Sequence, residues 1–182
     1  KSFIFWFLIA ALFLGVYKSP LFPSGRINGH SYVDLGLSVK WAATDIGNWC
    51  FCEHGAYFKW GEINPTDITS RVDSVYSIDI PNNDIAGLKR YDAATISEIK
   101  ELKTKCKWKW ISLGANSGYL VTGPNGKQIF LPISYEEGGF IWSSTLYQEN
   151  RTQAYLLGFD KNNINTEHYS HSWFCPIRPV TK

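Results

Sequence analysis

From Phe140 to Val180 the chain sets short runs of aromatic and branched residues between clusters of Asn, Asp, Gln and Glu. That alternation commits its end to antiparallel strands. Phe140–Tyr147 and Ala154–Phe159 read as two strands, and Gln148–Gln153 between them is a six-residue polar connection, the length of a loose hairpin. Asp160-Lys-Asn-Asn163 is a turn signal, because Asn and Asp tolerate left-handed backbone angles. The third piece, Trp173–Val180, carries Pro176 and Pro179, which cannot donate to a ladder, so it is expected as an edge or irregular strand. A closing antiparallel meander is the expectation.

The start of the chain has a different character. Phe3–Tyr17 is a fifteen-residue apolar run between Lys1 and Lys18. It is shorter than the roughly 20 residues that a spanning helix needs, and no small-x-small cleavage site follows it. Residues 1–18 therefore read as a signal peptide or an uncleaved N-terminal membrane anchor, and either implies export to the periplasm, the cell surface or the medium. With no methionine in the chain, Lys1 reads as a truncated or processed start. Residues 19–26 hold two prolines and a glycine and read as a linker. Residues 27–182 are left as one domain of roughly 150 residues, long enough to bury a sizeable core.

Within that domain, Val33, Leu35, Leu37, Val39 and Trp41 recur every second residue, the period of a half-buried strand or strand pair. Tyr57–Trp60 reads as a short core segment. Gly61–Gly87 is polar without helical period, and a loop of that length is functional or mobile. Asp92–Lys105 is the one helix expected: Ile96, Ile99, Leu102 and Cys106 form an apolar stripe, and Thr95-Ile-Ser-Glu98 is a capping-box pattern. Trp108–Trp110, Gly118–Thr122 and Gln128–Leu131 read as strands, the last two joined by the turn Pro124-Asn-Gly126.

Four ordered blocks carry a resemblance. Trp142-Ser-Ser-Thr145 with the terminal Ile177-Arg-Pro-Val180, Tyr32–Ala43, Tyr57–Glu62 and Gly118–Pro132 resemble the FISUMP-type (major paralogous) domain of bacterial surface proteins. The resemblance implies an α+β domain of C-type-lectin-like fold, with short antiparallel strands, one clear helix and long ligand-holding loops. The chain departs from the family where Asp92-Ala-Ala-Thr95 runs straight into Ile96, without the usual Trp-Arg-x-Pro stretch before the helix.

In an exported chain, Cys50, Cys52, Cys106 and Cys175 are disulfide candidates. With one residue between them, Cys50 and Cys52 are each expected to bond a distant partner, 50–106 with 52–175 or the crossed version. Cys50-x-Cys52-x-His54 lacks the paired knuckles of structural zinc sites, so no metal is expected. Asn82-Asn-Asp84 and Asp160–Asn163 could offer oxygens to calcium, yet such clusters more commonly form turns.

No nucleophile elbow or phosphate loop is present, and Glu136 and Glu137, adjacent in an extended segment, would face opposite ways. No enzyme and no cofactor are expected. A net charge of +2 gives no argument for nucleic acid, and membrane contact is expected only through the N-terminal segment.

Aromatic residues make up 16% of the chain, and rings beyond those filling the core can stack on sugars or peptides. The expectation is a non-catalytic surface or secreted recognition module for a glycan or protein partner; a structural or adhesive subunit without a small-molecule site is the alternative. Tyr76, Tyr135 and Tyr147 are the candidate rings, with Asn82, Asp84 and Glu136 as polar partners.

Overall fold

The computed structural model describes residues 23–27, 29–48, 50–62, 92–136 and 138–182. The apolar start and most of the long polar loop, with Tyr76, Asn82 and Asp84, lie outside them. Among the described residues no helix is long and apolar enough to cross a membrane.

The strands are β1 (Gly25–Ile27), β2 (His30–Val33), β3 (Lys40–Ala42), β4 (Asp92–Ala93), β5 (Lys107–Leu113), β6 (Asn116–Thr122), β7 (Gln128–Pro132), β8 (Gly139–Leu146), β9 (Gln153–Phe159), β10 (Ile164–Ser170) and β11 (Pro179–Thr181). The helix α1 spans Ile96–Lys105. Among the described residues three antiparallel sheets result, ordered β1-β2-β3-β11-β4, β5-β6-β7 and β10-β9-β8. β1 begins at Gly25, inside the stretch read as linker, and pairs with β2 in register Arg26–Ser31.

The expected α+β, C-type-lectin-like architecture is corrected by this organisation. Strands account for 48% of the described residues and the helix for 8%, so the described fold is mostly β. One physical reason is that segments read as separate short pieces pair over their full length: Lys107–Leu113 lies against Asn116–Thr122 through seven residue pairs. The helix is also shorter than expected. Asp92 and Ala93 pair with β11 as β4, and Thr95, extended at φ −70° and ψ 160°, is the N-cap. Its capping box is complete, with Thr95 N–H donating to Glu98 Oε2 at 2.7 Å and Glu98 N–H to Thr95 Oγ1 at 3.3 Å.

The closing meander also needs correction. Its third strand is β10, a segment to which no sequence expectation was attached, and not Trp173–Val180. The latter segment is irregular until β11, where Val180 pairs with Trp41 in the first sheet. The alternating Val33–Trp41 stretch proves to be a strand pair, β2 and β3, whose turn passes through Gly36 at φ 75°.

The sheet of β8–β10 divides the core because strand side chains alternate faces. Ile141, Leu157 and Phe159 face a cluster shared with Trp41, Ile99, Leu102, Val121 and Leu131. Trp142, Ala154 and Leu156 face the opposite cluster, with Ile46, Phe58, Cys175 and Ile177. Tyr57–Trp60 is pinned into this second layer. Phe58 and Cys175 exchange backbone hydrogen bonds at 3.1 Å, and the Trp142 indole donates to the Phe58 carbonyl at 2.8 Å.

The disulfide expectation is overturned as well. Cys50 bonds Cys52, with their Cα atoms 5.3 Å apart. The chain folds back there, Glu53 N–H reaching the Cys50 carbonyl at 3.3 Å, so the neighbours meet each other. Cys106 and Cys175 are free; the first packs on one core cluster and the second lies inside the other, which keeps them from pairing. Burial pushes their thiols up to about 11 and about 12.

Candidate functional site

One face of the β8–β10 sheet carries a cleft of about 570 Å³. Its floor and one wall follow from register. Gly158 lies opposite Asn165 and beside Phe140, so Phe140, Asn165, Glu167 and Tyr169 project on the same side. Gly158 leaves room for both side chains: a Cβ there would stand 3.2 Å from Glu167 Oε1 and 3.4 Å from the Phe140 ring, so each would have to give by a few tenths of an ångström. The other wall comes from the loop before β8, through Tyr135, Glu136 and Gly138. The turn Asp160–Asn163 closes one end, and Trp173, 45% exposed, stands at the mouth.

Four rings run through the site in contact, the first two pairs edge-on and the last tilted. Tyr135 and Phe140 centroids are 5.6 Å apart, Phe140 and Tyr169 6.1 Å, and Tyr169 and Trp173 4.8 Å. The Tyr135 hydroxyl donates to the Phe174 carbonyl, and its ring meets Tyr57 edge-on at 5.6 Å. Burial, with the nearby Cys175 thiol, pushes the Tyr135 phenol up to about 12. Tyr135 thus presents a fixed ring face and stays protonated across the physiological range.

The polar part of the lining is acidic. Glu136, Asp160 and Glu167 line the cleft with Asn163 and Asn165, and no lysine, arginine or histidine is among the lining residues. Asp160 Oδ1 accepts backbone N–H groups from Asn162 at 2.6 Å and Asn163 at 2.9 Å. These bonds, that of Asn162 first, hold its carboxyl below the ordinary 3.8, so it is ionised at neutral pH. The Tyr169 phenol is raised, mainly by burial and then by its hydrogen bond to Glu167.

Of the residues expected from the sequence, Tyr135 and Glu136 come together in this cleft. Tyr147 belongs to a separate group on the opposite face of the sheet. It stacks on His168 at 3.8 Å and 3°, meets Tyr155 edge-on, and donates to Glu149 at 2.6 Å. Trp142, expected in the core, is 1% exposed. Phe140, Glu167, Tyr169 and Trp173 were not singled out. The signal for two of them is the alternation Asn165, Glu167, Tyr169, which puts all three on one face of an extended strand.

No family model, no curated protein and no solved structure matches the chain. The cleft combines flat rings with carboxylates and amides, the mix of apolar faces and a few placed polar groups common in ligand pockets. Ring faces take up CH-rich or cationic surface, and the acids and amides fix donors.

Proposed function

We propose that this chain is a non-catalytic recognition module, exported to the cell surface or beyond, that binds a glycan or protein partner in the cleft of the β8–β10 sheet. The observation that carries the reading is the ring series Tyr135, Phe140, Tyr169, Trp173. It ends in an exposed tryptophan beside Glu136, Asp160 and Glu167. Exposed Trp and Tyr supply contact area at low entropic cost, which is why they anchor recognition surfaces. The ordered sequence blocks that resemble the FISUMP-type domain of bacterial surface proteins support the same reading.

The test is a glycan array and a pull-down with the full chain, each repeated with Trp173→Ala. Trp173 is not part of either buried cluster, so the variant keeps its melting temperature. Loss of the captured ligand with Trp173→Ala supports the cleft; undiminished capture places recognition elsewhere.

A further inference from the structure

The cleft runs along β10, and β10 differs from every other edge strand described. Sheet edges are usually protected against pairing with a second chain by shortness, proline, lysine or a bulge. Here β1 has three residues and β4 two. β5 exposes Lys107 and Lys109, β7 ends in Pro132, and β8 is irregular between Trp142 and Leu146. β10 has seven residues in unbroken register with β9, and Ile-Asn-Thr-Glu-His-Tyr-Ser contains no lysine or proline. Among the described residues β9 is its one strand partner.

From this we infer that β10 is a docking edge for an extended, lysine-bearing segment of a partner protein, which adds as a fourth strand and places its ammonium groups in the cleft. The inference rests on the recognition reading above and narrows it to a protein ligand. Backbone pairing supplies affinity and the alternate side chains supply selectivity. A strand laid beside β10 sends every second side chain toward the face that holds Asn165, Glu167 and Tyr169. An ammonium there faces Glu167 and the acidic end of the cleft at Asp160, with the rings of Tyr169 and Trp173 beside it and no basic lining residue to oppose it. The aliphatic stem of lysine suits the rings on its way in. Charge complementarity therefore selects lysine over an acidic segment.

The experiment uses the full chain and fluorescent nine-residue peptides of alternating Val and Lys, read by anisotropy. One control replaces Lys by Glu, and a second carries N-methyl groups on alternate backbone amides. The lysine peptide is expected to bind. The glutamate peptide should bind at least about tenfold more weakly, and the N-methylated one not measurably. Glu167→Gln and Trp173→Ala should each weaken the lysine peptide several-fold, and Asn165→Lys, at an exposed position, should abolish its binding while the melting temperature holds. Equal binding of lysine and glutamate peptides, or of the N-methylated peptide, overturns the inference. So does a concentration-dependent dimer that Asn165→Lys breaks and lysine peptide does not compete with, since β10 then pairs with a second copy. If a glycan or protein ligand depends on Trp173 but no peptide binds, the docking edge falls and the recognition reading stands. If neither a peptide nor a Trp173-dependent ligand is found, both fall.

Discussion

Arg178 Nε donates to Asp45 Oδ1 at 2.6 Å, and both side chains are buried, at 0% and 3% exposure. The remaining guanidinium nitrogens reach the Ala42 and Phe130 carbonyls at 3.1 Å each, and Asp45 Oδ2 accepts the Gly55 N–H at 3.3 Å. One pair thus ties the C-terminal segment to β3, β7 and the turn before Tyr57. Buried ion pairs contribute little relative to apolar replacements, but breaking one leaves a charge without compensation.

Arg178→Ala is therefore expected to destabilise the fold by about 3–5 kcal/mol, and Asp45→Ala comparably. The double variant should cost clearly less than the sum of the two, because each single change strands the other charge. Urea denaturation of the four proteins in the cycle checks this. Additive effects, or a cost below about 1 kcal/mol for Arg178→Ala, would show that the pair is not coupled.

The cysteines should behave as two classes. The Cys50–Cys52 bond closes a very short loop, so it constrains the unfolded chain little, and reducing it should cost only about 1–2 kcal/mol. Cys106 and Cys175 carry raised thiols in apolar surroundings, which keeps them protonated and slow to react at neutral pH. A thiol titration of the unreduced protein should find almost no fast thiol while folded and two once unfolded in guanidinium. Four thiols on unfolding would remove the disulfide; two fast thiols in the folded state would contradict the burial.

Glu101 should make part of the stability acid-sensitive. Its Oε1 lies 2.8 Å from Lys105 Nζ, and its Oε2 accepts from the Ser38 hydroxyl and, at 3.1 Å, the Ser38 N–H. Those bonds, that of Lys105 first, lower its folded pKa from 4.5. The unfolded chain then takes up the proton at higher pH than the folded one. The contribution is fully present above about pH 4.5 and is lost as pH falls through the folded value. Glu101→Gln should flatten the fall of stability between neutral pH and pH 3 while leaving the helix formed. An unchanged pH profile, measured by thermal melts, would sink this assignment.

What was legible in the sequence was local. The Thr95–Glu98 capping box and the Pro124-Asn125-Gly126 turn depend on residues within a few positions, and both form; Gly126 sits at φ 83°, where glycine is favoured. The Asp45–Arg178 pair spans 133 positions and has no periodic signature, so no local pattern announces it. β10 went unseen for a related reason. Ile-Asn-Thr-Glu-His-Tyr-Ser has strand-forming Ile, Thr and Tyr but no continuous apolar face, and its seven partners on β9 come from outside the segment. Missing β10 meant missing the cleft wall, so Tyr135 and Glu136 could be named without Glu167 and Tyr169. Tyr147 was grouped with them because sequence spacing does not report which face of a sheet a distant residue occupies.

Gly158 gives the sharpest check on the cleft itself. It lies on β9, where no left-handed backbone angle demands glycine, so what constrains it is the space beside Glu167 and Phe140. A methyl group at 3.2–3.4 Å from both should displace the Glu167 carboxyl and the Phe140 ring by a few tenths of an ångström. Gly158→Ala is therefore expected to lower ligand affinity severalfold while costing less than about 1.5 kcal/mol, the range for tolerated core changes. Gly158→Leu should block the cleft outright, and Gly123→Ala, where a Cβ would clash with the Leu35 backbone far from the cleft, serves as a control for general destabilisation. If Gly158→Leu folds and binds like the parent protein, the ligand does not enter this cleft.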